Sequence, residues 1–113
     1  MADTIMRAPG PRNYAFNMQS GNQVTITNSG NGNVFAVLVA ATGPADFNGL
    51  YLLSGYAETD AGHFITTIAN ATKISVAKSS GSFVIKHASG TNGFRIACTV
   101  LVDDNNALSF AFS

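Results

Sequence analysis

The sequence predicts an all-β protein, an antiparallel β-sandwich or barrel of about nine short strands, on three observations. Apolar residues recur with a period of two in segment after segment. Turn-forming clusters of Gly, Asn, Asp, Ser and Pro separate those segments at eight- to twelve-residue spacing. No stretch sustains the 3.6-residue apolar period of an amphipathic helix, so helix is expected only as isolated turns.

The elements follow in order. Residues 1–13, with Pro9, Gly10, Pro11, Arg7 and Arg12, show no periodicity and are expected to form an N-terminal arm, flexible or docked on a partner through Arg7, Pro9, Pro11 and Arg12. Residues 14–113 then form one domain. Tyr14 to Met18 and Gln23 to Thr27 alternate around the turn Gln19-Ser20-Gly21-Asn22 and are expected to pair as a leading hairpin. Asn28 to Asn33 is too polar and glycine-rich to pack, and reads as a loop. Val34 to Ala41 is apolar on both faces; its valines and its Gly, Asn and Pro borders favour a buried strand over a short helix. Leu50 to Ala57 is another strand, in which Gly55 marks a bulge or a close backbone approach. His63 to Ala69 is a β-branched strand, and Lys73 to Lys78 and Ser82 to His87 flank a tight turn at Ser79-Ser80-Gly81, with positive φ expected at the glycine.

The closing pair organises the chain. In Phe94 to Val102 every even position is apolar, and Leu108, Phe110 and Phe112 resume the pattern after the polar stop Asp103-Asp104-Asn105-Asn106. This reads as a C-terminal β-hairpin with one heavily apolar face. Its other face carries Ala97, Thr99, Ala107, Ser109 and Ala111, small enough to let a second subunit approach closely.

Composition narrows the class of role. Charged residues make up 11 % of the 113 residues and formal net charge is zero, against about 25 % charged in an ordinary globular protein. Scattered basic residues provide no electrostatic footprint for nucleic acid or an anionic membrane, and no run approaches the length of a membrane span. Weak self-repulsion and strands apolar on both faces instead point to an obligate oligomer. The first residues lack the apolar core of a signal peptide, so synthesis and folding in a cytoplasm are expected, which also argues against use of the glycosylation pattern Asn70-Ala71-Thr72. Cys98, the single cysteine, falls on the apolar side of its strand and reads as a core residue.

The supply of catalytic groups is small. There is no Gly-x-Ser-x-Gly, no histidine pair at ligand spacing and no second cysteine. Glu58, Asp60 and His63 form a conceivable metal or acid-base cluster, although a solvated loop is the simpler reading. Asp103 to Asn106 offers four oxygen-bearing side chains to a calcium ion, yet Asp and Asn are also the default turn residues. The expectation is therefore no enzyme, no cofactor and no metal. Tyr51 and Tyr56, with the Asn-rich loops, are candidate contacts for a glycan; the simpler reading places both in the core or in a subunit interface.

The run Asn48-Gly49-Leu50-Tyr51-Leu52-Leu53-Ser54-Gly55-Tyr56-Ala57, with the short hairpins after it and the ending Leu108-Ser109-Phe110-Ala111-Phe112, resembles the small β-sandwich knobs of bacteriophage virions. Such knobs occur in head fibres, tail-fibre tips and capsid decoration proteins. Its texture is also similar to the trimeric jelly rolls of the C1q and tumour necrosis factor class. The resemblance covers roughly residues 33–113 and has no diagnostic motif, and this chain lacks a fibrous shaft or collagen-like stalk. It implies a jelly-roll-like sandwich and a non-enzymatic virion structural protein. That protein would be a homotrimer with its C-terminal strands near the three-fold axis, attached to a larger virion assembly through the arm and displayed on a phage capsid or fibre where it contacts the host surface. The alternative is a lectin-like carbohydrate-binding module or adhesin recognising cell-surface glycan.

Overall fold

The computed structural model describes residues 12–88, 90 and 92–113. Nine strands run through the described residues: β1 (Arg12–Met18), β2 (Gln23–Asn28), β3 (Phe35–Thr42), β4 (Gly49–Gly55), β5 (His63–Ala69), β6 (Ile74–Ser79), β7 (Ser82–His87), β8 (Phe94–Asp103) and β9 (Leu108–Phe112). They form a five-stranded sheet, β1-β8-β3-β4-β5, and a four-stranded sheet, β6-β7-β2-β9. All pairings are antiparallel and the two sheets enclose one core, which makes the fold an antiparallel β-sandwich. The nested pairs β1·β8 and β2·β7 are its jelly-roll-like feature, while β3, β4 and β5 form a meander within one sheet. Helix among the described residues is confined to the 3-10 turns Ala45–Phe47 and Asp60–Gly62.

The period-two pattern decides which side of each strand is inside. β3 buries Phe35, Val37, Val39 and Ala41 and turns Ala36, Leu38, Ala40 and Thr42 outward. β2 buries Val24 and Ile26, and β7 buries Phe83 and Ile85, so the two sheets meet through β-branched and aromatic side chains. Each such residue contributes about 1.5–3 kcal/mol on leaving water. Phe47, brought in by its 3-10 turn, stacks on Phe94 at 5.0 Å and closes one end of the core. Gly55 is a point of close backbone approach, since a Cβ there would run into the carbonyl oxygen of Gly62 and the ring of Phe35.

The closing segment departs from the expected hairpin. β8 and β9 belong to different sheets, β8 between β1 and β3 and β9 at the edge beside β2. β1 and β2 likewise lie in different sheets, so the leading hairpin is also an arch between layers. The reason is visible in β8. Val37 pairs with Val100 and Ala36 with Val102, leaving Leu101 as an extra, bulged residue; beyond it Val102 faces outward and Asp103 takes the inward position. The buried Asp103 carboxylate accepts the N–H groups of Ala107 at 2.9 Å and Leu108 at 3.2 Å, which carries the chain across to the other sheet.

Two further expectations shift. β1 begins at Arg12, so Arg12 and Asn13 belong to the sandwich rather than to a docking arm; Arg7, Pro9 and Pro11 lie outside the described residues. The five small residues do not share one surface. Ala97 and Thr99 are on the outer side of the five-stranded sheet, whereas Ser109 and Ala111 are on the outer side of the four-stranded sheet and Ala107 sits in the arch before it.

Candidate functional site

The most developed polar arrangement lies at the β8–β9 arch. Asp103 has no solvent exposure, and besides the two backbone donors it accepts Arg12 Nη2 at 2.8 Å and Asn33 Nδ2 at 2.8 Å. Burial by itself raises the pKa of this carboxyl. The Arg12 guanidinium, the Ala107 N–H, the Asn33 amide and the Leu108 N–H outweigh that and hold it below the ordinary carboxylate range. Asn33 is itself buried, donating also to Asn28 Oδ1 at 2.9 Å and accepting the Asn105 N–H at 2.8 Å. With its oxygens committed to four donors inside the protein, Asp103 does not open a calcium site. The arrangement is a structural clasp between β1, the loop before β3 and the arch.

His63 is not in a solvated loop. It is buried, stacks on Phe83 at 4.9 Å and meets Phe35 edge-on at 5.6 Å. Its Nε2 lies 2.8 Å from the Ala57 carbonyl, which can only accept, so that nitrogen carries the proton. Asp60 approaches Nδ1 only to 4.0 Å and spends the same oxygen on the Gly81 N–H at 2.8 Å. Glu58 is turned elsewhere, accepting from the Asn31 N–H at 3.2 Å. The expected acid-base cluster is thus dispersed among turn contacts. His87 is similar, a buried ring against Phe47 whose Nε2 donates to the Asn92 carbonyl at 2.6 Å. Among the described residues no three His, Cys, Asp or Glu side chains converge on a metal position. Cys98 is fully buried in β8, and burial pushes its thiol up to about 12.

The two tyrosines separate. Tyr51 is 2 % exposed, and its hydroxyl accepts the Ala71 N–H at 2.8 Å. It is a core residue that offers a sugar no surface. Tyr56, 54 % exposed, stacks at 6.4 Å on Phe64, itself 50 % exposed. Phe64 was not singled out by the sequence, because the alternation in His63 to Ala69 does not say which side of an edge strand is covered. The structure puts His63 inside and Phe64 outside.

The outer faces of the sheets differ in chemistry. On the five-stranded sheet the cross-strand rows read Leu50–Ala40–Ala97–Ala15 and Leu52–Leu38–Thr99–Asn13. On the four-stranded sheet they read Ala77–Val84–Thr25–Ala111 and Ser79–Ser82–Thr27–Ser109. A shallow depression of about 220 Å³ lies on the second face, lined by Gln23, Ser75, Ala77, Ser79, Val84 and Lys86. It exists because β6 presents only small side chains there, and Lys86 is its sole titratable group.

These observations define the class, an antiparallel β-sandwich whose buried polar groups serve the fold and whose distinctive surface is a sheet face. The chain matches no protein-family model, and comparisons with curated proteins and with solved structures likewise returned no match. No helix among the described residues is long and apolar enough to cross a membrane.

Proposed function

We propose that this chain is a non-enzymatic structural protein that works by assembling with copies of itself, as a homotrimeric β knob displayed on a phage virion. The observation that supports self-assembly is the outer face of the five-stranded sheet, where leucines and alanines stand in place of charged residues. Strands β3, β4 and β5 contain no charged side chain at all. The virion setting and the three-fold state rest on the likeness of residues 33–113 to phage knobs. Attachment to the particle falls to the residues before β1, and the host surface is the outward partner. The mass of the native species, measured beside purification of particles from the natural source, tests this. A trimer that co-purifies with particles is expected, and a compact monomer found apart from any particle overturns it.

The stacked, half-exposed pair Tyr56 and Phe64 favours a second reading, a lectin-like module. Aromatic faces stack on the apolar faces of sugars, and Ser54 pairs directly with Phe64 across the strands. Glycan-array binding that Tyr56→Ala abolishes would support it.

A further inference from the structure

Six large apolar side chains of the described residues stand half out of the protein, and four of them belong to one corner: Val34, Tyr56, Phe64 and Leu101. Pairing register puts them together. Phe64 lies opposite Ser54, Ser54 opposite Ala36, and Ala36 opposite Val102. This row crosses four strands, roughly 14 Å. Tyr56 stacks on Phe64 at one end of the row, the bulged Leu101 adjoins Val102 at the other, and the exposed Val34, just before β3, accepts the Asp104 N–H at 3.1 Å just beyond the end of β8. The corner continues into the Leu52–Leu38–Thr99 and Leu50–Ala40–Ala97 rows of the same face.

We infer that the outer face of the five-stranded sheet packs against a second copy of this chain, anchored by Val34, Tyr56, Phe64 and Leu101. This rests on the self-assembly reading above and names its surface. Charge selects the occupant. Three charged residues occur in the strands of this sheet; Arg12 and Asp103 pair with each other, and Arg95 faces out at the far end beside Thr42. Apart from Arg95 and, at the corner, the Asp104 carboxylate that accepts the Val34 N–H at 2.9 Å, the face gives a charged partner nothing to pair with, and with formal net charge zero a second copy meets no net repulsion. Shape agrees, because leucines beside alanines give this face the ridges and hollows into which side chains of a neighbouring copy interdigitate, as they do between packed sheets. Size agrees as well. Five strands about 4.8 Å apart and seven residues long cover a flat footprint of roughly 550 Å², and a corrugated face of that footprint approaches the ~800 Å² per partner of a stable interface. The aromatic corner supplies the large, half-exposed anchors on which interface energy concentrates. The hydroxyl-rich face of the other sheet stays in water.

Sedimentation of the full chain tests this with Phe64→Lys and Leu101→Lys, both at half-exposed positions, and with Ala111→Lys on the opposite face as control. The wild type and Ala111→Lys are expected to sediment as the same oligomer, and the two face variants to dissociate with a dissociation constant raised about tenfold or more. Hydroxyl-radical labelling of wild-type Tyr56, Phe64 and Leu101 needs no substitution, and their protection on assembly relative to dilute protein is expected. An oligomeric wild type with both face variants assembled and all three residues labelled alike overturns the inference and leaves self-assembly standing. A monomeric wild type overturns both.

Discussion

Arg12 Nη2 donates to Asp103 Oδ2 at 2.8 Å across 91 positions of sequence, tying the first residue of β1 to the last residue of β8. A second guanidinium nitrogen, Nη1, donates to Asn106 Oδ1 at 2.7 Å in the arch that follows. The contact holds together the point where the chain leaves one sheet for the other. An aspartate suits it because a carboxylate accepts several bonds at once, and Asp103 accepts two backbone and two side-chain donors from three parts of the chain.

Asp103→Ala is therefore expected to cost about 3–5 kcal/mol, the range for removing one partner of a buried ion pair. It strands the Asn33 amide and two backbone N–H groups as well as Arg12. Arg12→Ala should cost less, because the side chain of Arg12 is 28 % exposed and water replaces part of what it loses. Urea unfolding of both variants checks the order, and an Asp103→Ala midpoint equal to that of the wild type would contradict the clasp.

The same carboxylate sets an acid limit. Its native pKa lies below the ordinary carboxylate value, so the unfolded chain takes up a proton at this site at higher pH than the folded one. The contribution is complete above the unfolded value, about 3.9, and is lost as pH falls from there through the lowered native value. Stability measured against pH should decline more steeply in this window for the wild type than for Asp103→Asn, whose side chain does not titrate. Equal slopes would count against the clasp as the source.

Much of the fold was legible because a sandwich strand writes its inside on alternate residues. All nine strands appear within a residue or two of the patterned segments, and the Ser79-Ser80-Gly81 turn forms as a hairpin. Sheet membership was not legible. Phe94 to Val102 and Leu108 to Phe112 each bury one face in the same core, and that alternation is identical for a hairpin within one sheet and an arch between two. What separates them is the inward turn of Asp103 after the Leu101 bulge, which depends on the pairing of β3 with β8. The site divided in the same way. Tyr51 and Tyr56 look alike in sequence, yet the odd position faces the core and the other follows Gly55 out of the strand.

Cys98 should be inert in the native protein. Burial pushes its thiol up to about 12, leaving almost no thiolate at neutral pH, and the thiolate is the nucleophile. A thiol-reactive chromophore is expected to label it only as fast as the protein unfolds, with stoichiometric labelling in denaturant. Rapid labelling under native conditions would show that β8 opens locally.

The β6–β7 turn gives two substitutions of opposite sign. Ser80 has φ 52 and Gly81 φ 84, the pair of left-handed residues that a two-residue type I′ hairpin turn requires. The sequence predicts positive φ at the glycine alone; the serine shares it. Asparagine tolerates this region better than serine, so Ser80→Asn is expected to stabilise by a few tenths of a kcal/mol. Gly81→Ala meets two penalties, since its conformation disfavours a Cβ and that Cβ would collide with the backbone oxygen of Glu58. The backbone conformation alone costs about 1–2 kcal/mol, and relief of the collision must shift the loop that carries Asp60, whose carboxylate accepts the Gly81 N–H. Thermal melts should place Gly81→Ala well below the wild type and Ser80→Asn slightly above it. A melting temperature for Gly81→Ala equal to the wild type would mean that the turn relaxes freely and does not fix the β6–β7 register.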